Sequence, residues 1–343
     1  MNRRAFVATV AGGTAGCRLD RRPRLNVFNW SSYIDPQTIE KFSSAFGVRV
    51  RYGVYESNEE MLAKVMTGNS GWDIVFPTHS RIAPMLRQGL AAPLDHRLLS
   101  GLKHLEPMFQ NPVWDPELRW CIPYMWNATG IAYNRSLGAA EHWSVLWSEA
   151  VRGRMTMLDD PEDVIGACLL KLGLSFNTTR ETDLMAARRE AIAVKRYLRA
   201  FINAEVRDQL VAGDVVAAQI WSTTASQAIN SEQKSVPLGF SYPREGFPVY
   251  CDNAVILAES RRRELAHEFL NFLLQPEIAA ANASVGETAT TNAGGRALLP
   301  PAVRESVMLY GTPEIFKRAV WPEASPPEVQ RLKDRIWTEI KAA

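Results

Sequence analysis

Leu25-Asn26-Val27-Phe28-Asn29-Trp30-Ser31-Ser32-Tyr33-Ile34-Asp35-Pro36 passes through three kinds of local structure in one short stretch. Leu25, Val27 and Phe28 read as a buried first strand. Asp35 is placed to cap a helix and Pro36 to open it, where the missing N–H costs nothing. Trp30 to Tyr33 therefore fall in the turn between the C-terminal end of a strand and the next helix, where open α/β sheets hold ligands. An indole and a phenol beside two hydroxyls make an aromatic wall with hydrogen-bonding points. The competing reading is that Trp30 is simply edge-of-core packing.

Working outward, Ile39, Phe42 and Phe46 repeat at helical spacing and Gly47 stops the helix. Val48 to Tyr52 alternates as a strand, Ser57 with Glu60 forms a capping box for a helix through Met66, and Asp73 to Pro77 is a third strand. Strand, helix, strand, helix, strand implies right-handed crossovers and a mainly parallel sheet. Ile122 to Asn134 reads as one long extended crossing into a second α/β unit. That unit has a short strand at Met155 to Leu158, a helix from Asp159-Asp160-Pro161-Glu162-Asp163, helical patterns over 183–200 and 206–212, and a buried strand Val215 to Ile220 ending at Trp221. Ser222 to Ser231 is a helix. Tyr250-Cys251-Asp252 precedes an apolar strand from Asn253 to Ala258, and Val329, Leu332, Ile336 and Ile340 line one face of a last helix.

At 343 residues, 46% hydrophobic and 22% charged, the chain can fill two lobes, each with its own core. No apolar run reaches the roughly 18 residues of a membrane span. Residues 1–16 combine Arg3-Arg4-Ala5-Phe6, a short apolar stretch and small residues before Cys17, which together resemble a lipoprotein or twin-arginine export signal with Cys17 as the acylated residue. Without them the 39 Lys and Arg fall to 37, against 37 Asp and Glu. That neutral balance excludes the electrostatic footprint of a nucleic-acid binder. Cys121, Cys168 and Cys251 are an odd set, read as buried thiols, and zinc-type spacing is missing, so no metal and no cofactor are expected.

The polar strand ends collect Trp30, Ser31, Tyr33, Thr78, Asp160, Asp163, Trp221, Tyr250 and Asp252. Aromatic faces and carboxylates with no Lys or Arg among them suit a cation, which gains about 0.5–2 kcal/mol over an aromatic face and more from a desolvated carboxylate. Asp160 before Pro161 reads equally well as a helix N-cap. An enzyme reading has less behind it. No nucleophile elbow, phosphate loop or dinucleotide fingerprint appears. Asp160 and Asp163, three apart on one helix, would flank the same side of a scissile bond.

The stretches Phe28-Asn29-Trp30-Ser31-Ser32-Tyr33, Tyr55-Glu56-Ser57-Asn58-Glu59, Ile122-Pro123-Tyr124-Met125-Trp126, Leu158-Asp159-Asp160-Pro161-Glu162-Asp163-Val164 and Phe272-Leu273-Leu274-Gln275-Pro276 resemble the bacterial solute-binding proteins of spermidine/putrescine ABC transporters. The resemblance runs from Leu25 to the C-terminus. It implies an α/β, two-lobed type II periplasmic-binding-protein fold, each lobe a mixed, mainly parallel sheet flanked by helices, with hinge strands between. Lobe 1 would take 24–128 and 252–296, and lobe 2 would take 129–251 and 297–343. It further implies a monomeric, non-catalytic protein outside the cytoplasm that passes putrescine, spermidine or a related amine to ABC permease subunits, with membrane attachment only through a lipid at Cys17.

Residue by residue, Trp30, Ser31 and Tyr33 match the family's first-loop contacts and Thr78 a position that is Ser in relatives. Asp163 matches the acid that pairs with a terminal amine and Asp160 an Asp that helps in the spermidine type, and Trp221, Tyr250 and Asp252 match the aromatic wall and central carboxylate. Departures are Ser32 and Thr224, where putrescine binders are acidic, and His79 and Ser80, where they are small or aromatic. Glu287 stands near a ligand-contacting Tyr and favours an amine longer than putrescine. A hydrolytic enzyme on the same scaffold and a polyamine sensor for a membrane receptor are the alternatives.

Overall fold

The computed structural model describes residues 22–203 and 205–343, so the expected export signal and Cys17 lie outside the described residues. Eleven strands run in chain order as β1 (Arg24–Trp30), β2 (Arg49–Tyr55), β3 (Ile74–Val75), β4 (Ile122–Asn134), β5 (Met155–Met157), β6 (Leu198–Phe201), β7 (Ala217–Trp221), β8 (Leu238–Ser241), β9 (Phe247–Ile256), β10 (Ala289–Thr290) and β11 (Ala319–Val320). Their hydrogen-bonded order is β2-β1-β3-β9-β4-β7-β5-β6, with β8 and β10 on β4 and β11 on β9. Pairing is parallel for β1 with β2 and β3 and for β5 with β6 and β7; the central partners β3/β9, β9/β4 and β4/β7 are antiparallel.

Local chemistry accounts for the first unit. Asp35 caps the helix Pro36–Phe46 by accepting from the Gln37 N–H, and Gly47 ends it at φ +62, a left-handed turn that glycine adopts without a Cβ clash. Phe42 from that helix is fully buried against Phe269 and Phe272 of the helix Arg263–Leu273, with centroids 4.9 and 5.5 Å away. Burying such a ring stabilises by about 1.5–3 kcal/mol. Asn282 Oδ1 accepts from both the Asp35 N–H and the Thr38 hydroxyl, tying the Trp30–Tyr33 turn to the segment before Glu287.

Two strands join the lobes. β4 pairs with β9 from Ile122 to Ala128, then changes partner at Thr129 and pairs with β7 as far as Tyr133. β9 is buried along its whole length. Tyr250 and Asp252 therefore do not lie ahead of a strand, as the sequence suggested, but inside a crossing strand, two apart and on one face. A second difference is β6: the expected helix over 183–200 stops at Val194, and Leu198–Phe201 becomes an edge strand beside β5. Three turn residues separate the two, too few for helical periodicity to register. The cysteines Cys121, Cys168 and Cys251 are free and buried. No helix among the described residues is long and apolar enough to cross a membrane.

Candidate functional site

The first wall is built from the ends of β1 and β3. Trp30 is half-buried, its indole N–H given to the Phe76 carbonyl at 2.8 Å, which also accepts from the Tyr55 hydroxyl at 2.7 Å. The ring rests on Tyr55, centroids 4.7 Å apart, so it is fixed in place with its polar atom already used. Ser31 is half-buried in the following turn, and Ser32 takes φ +56, the left-handed region, to turn Tyr33 inward. Tyr33 holds the turn by accepting from the Tyr124 hydroxyl on its carbonyl, and its own hydroxyl hydrogen-bonds Asp252. Thr78 donates to Asp252 Oδ1 at 2.8 Å while accepting from the Asn58 amide at 3.0 Å. Asp252 is 5% exposed; burial lifts its pKa to about 7, although the Thr78 and Tyr33 hydroxyls pull the other way.

The second wall is the N-terminus of the helix Pro161–Lys171 with the end of β7. Asp160 is its N-cap: Oδ1 accepts from the N–H groups of Glu162 and Asp163 at 2.8 and 3.0 Å. Both capping bonds fall on one oxygen, so Oδ2 takes no part in the cap. Burial, then the charge of Glu162, raises the Asp160 pKa to about 6. Asp163 is 2% exposed and accepts from Trp221 Nε1 at 3.0 Å and from the Tyr250 hydroxyl at 3.1 Å. Burial and then Asp160 push its pKa well above the carboxylate range. β9 thus carries one residue of each wall, Tyr250 reaching Asp163 and Asp252 reaching Thr78. Neither Asp163 nor Asp252 forms an ion pair among the described residues. Two buried carboxyl groups are thus held by neutral donors beside aromatic rings.

Glu287 sits at φ +46 and accepts on Oε2 from Asn230 Nδ2 at 3.2 Å and the Ser226 hydroxyl at 3.4 Å. A Cβ on Gly286 would lie 3.6 Å from the Ser32 carbonyl, which puts the residue before Glu287 beside the Ser32 turn. Thr224 is on the same helix, Ser222–Asn230. His79 faces other work: its Nδ1 accepts from the Cys251 N–H at 3.2 Å, so Nε2–H donates to the Pro322 carbonyl at 2.9 Å. Burial lowers its pKa to about 4 and keeps it neutral. Two residues escaped the sequence reading. Asn58, which braces Thr78, stood in the stretch Tyr55-Glu56-Ser57-Asn58-Glu59 that carries the family resemblance but was given no role of its own. Arg81, whose guanidinium is paired with Glu59 at 3.1 Å, lies beside a constellation read as free of basic residues.

Two α/β lobes joined by crossing strands, with the ligand-like chemistry between them, define a two-lobed binding protein of the periplasmic type II class. Comparison with known proteins goes further. Residues 37–303 match the bacterial extracellular solute-binding protein family. The putrescine-binding periplasmic protein SpuD of Pseudomonas aeruginosa is 31% identical, over 97% of this chain and 96% of its own. The spermidine/putrescine-binding periplasmic protein of Escherichia coli is 31% identical, over 91% and 90%. The solved structure of the spermidine/putrescine ABC transporter substrate-binding protein PotD from Streptococcus pneumoniae superposes with TM-score 0.82 at 28% identity, covering 93% of this chain and 99% of that one. The chain belongs to the bacterial extracellular solute-binding proteins, in the spermidine/putrescine ABC transporter group.

Proposed function

We propose that this protein captures a linear cationic amine of the putrescine–spermidine class between its lobes and delivers it unchanged to the permease subunits of an ABC transporter. The observation that carries this reading is the pair Asp163 and Asp252, buried, unpaired with any cation among the described residues, and framed by Trp30, Tyr33, Trp221 and Tyr250. An ammonium at each carboxylate would relieve the cost of burying it, and the methylene chain between would lie along the indoles. Ser31 and Thr78 line the first wall, Asp160 extends the second, and Glu287 follows the residue beside the Ser32 turn. The relatives' names, which state putrescine or spermidine binding in the periplasm, support the same ligand class.

In this reading lobe 1 comprises 24–128 and 252–296 and lobe 2 comprises 129–251 and 297–343, which the change of β4 partner between Ala128 and Thr129 supports. The protein works as a monomer in the periplasm or at the outer face of the cell envelope, where a lipid on Cys17 would anchor it. Cys17→Ser should then move it to the soluble envelope fraction with ligand binding intact; unchanged membrane partition removes the anchor from the reading. The ligand class is tested by calorimetry with putrescine, cadaverine, agmatine, spermidine and amino acids. Binding of at least one linear amine is expected. A protein that binds none of them, or that hydrolyses one, is not the binding protein proposed here.

A further inference from the structure

Strand register sets the floor of the cleft. β4 and β9 place Met125 opposite Asp252 and Asn127 opposite Tyr250, and β4 and β7 place Thr129 opposite Trp221. Directly opposed residues of antiparallel strands share a face. Asn127 therefore lies on the face from which Asp252 reaches Thr78 and Tyr250 reaches Asp163. Along β4 it stands two residues, about 6.6 Å, from the position facing Asp252 and as far from the position facing Trp221. The Trp221 indole N–H is on Asp163, so Asn127 is midway along the strand between the two carboxyls.

The Asn127 amide has one orientation. The single proton of the Tyr33 hydroxyl goes to Asp252, so the bond between that hydroxyl and Asn127 is donated by Nδ2. Oδ1 is left over: it is buried and accepts no hydrogen bond among the described residues. Nearby hydroxyls are committed elsewhere, that of Tyr250 to Asp163 and that of Thr288, just before β10, to the Trp126 carbonyl. A buried carbonyl without a donor carries the full cost of leaving water. A diamine held at Asp163 and Asp252 would pass Asn127 with methylenes alone and leave that cost in place. A ligand with an N–H at mid-chain removes it, and an ammonium there makes a charge-assisted bond.

We propose that Asn127 is a specificity-determining residue whose Oδ1 accepts from the internal secondary ammonium of a linear triamine such as spermidine, which the site prefers to diamines. This rests on the amine-binding reading above.

Calorimetry on the wild type, Asn127→Leu, Asn127→Ala and Asn127→Asp tests this. The ligands are spermidine, putrescine and octamethylenediamine, which has the length of spermidine with a methylene in place of its internal N–H. The wild type should bind spermidine about tenfold or more tighter than octamethylenediamine, a difference of roughly 1.4 kcal/mol. Asn127→Leu and Asn127→Ala should shrink that ratio by about tenfold, and Asn127→Asp, which retains an acceptor, should keep or widen it. Loss of the Tyr33 bond alone would weaken both ligands alike. An unchanged ratio in Asn127→Leu and Asn127→Ala therefore overturns the inference. So does a wild type that binds octamethylenediamine or putrescine as tightly as spermidine, a result that needs no variant to fold. A wild type that binds no amine at all fails the amine reading itself, a different result from either.

Discussion

A single carboxyl, Asp252, links binding to stability. Burial raises its pKa from the ordinary 3.8 to about 7. A carboxyl with a folded-state pKa above its unfolded value favours the folded state fully below the unfolded value and loses that contribution as pH rises through the folded one. The ligand-free protein should therefore melt at falling temperature from about pH 4 to about pH 8, and Asp252→Asn should flatten the fall. An ammonium needs the ionised form, so amine affinity should rise across the same window. At pH 8 Asp252→Asn should melt higher than the wild type while binding amine at least about tenfold more weakly, roughly 1.4 kcal/mol or more. Melting curves and titrations across pH check both halves. Parallel pH profiles for the variant and the wild type would show that Asp252 titrates elsewhere.

At the scale of one element, the N-terminus of the helix Pro161–Lys171 holds its cap and its cleft carboxylates within four residues. The helix dipole and two N–H groups favour a negative cap at Asp160, while Asp163, one turn on, is turned to Trp221 and Tyr250. The two roles of Asp160 can be separated. Asn still caps and removes the charge whose burial lifts the Asp160 pKa to about 6, so above that pH Asp160→Asn should melt at or above the wild type and bind amine more weakly. Asp160→Ala should in addition cost about 1 kcal/mol of stability through the lost cap. Equal melting temperatures for both variants, read by calorimetric scans, would mean that the cap contributes nothing.

Across the whole molecule, the proposed lobes meet through aromatic contacts, Trp321 on Phe109 and Trp114 and Trp126 on Tyr310 and Phe316, and through hydrogen bonds. Thr223 donates to Thr288 at 2.9 Å, Gln227 to the Gly286 carbonyl at 3.2 Å, and His79 to the Pro322 carbonyl at 2.9 Å. Net hydrogen bonds of this kind contribute about 0.5–1.5 kcal/mol each, and the aromatic pairs add to them. A ligand gripped by both walls shifts the population to the closed arrangement by its differential affinity. Small-angle scattering should show the radius of gyration falling as a binding amine is added, and thermal stability should rise by about 2.7 kcal/mol at a hundredfold excess over Kd. An unchanged scattering profile at saturation would argue for a rigid cleft.

Periodicity and capping chemistry were enough to read the repeated α/β units, the crossing strand Ile122–Asn134 and the cap at Asp35, because each depends on neighbours a few residues away. Trp30, Tyr33, Thr78, Asp163 and Trp221 were legible as polar or aromatic residues at strand and helix ends. Which of them meet was decided only in three dimensions. Asp163 joins Tyr250 across 87 positions and Thr78 joins Asp252 across 174, pairings with no local signature. The same holds for Arg81, an ordinary basic residue in sequence whose pKa is raised by the charges of Glu162, Glu59 and Asp160 from distant parts of the chain. Charge acts through space, and only the closed fold sets those distances.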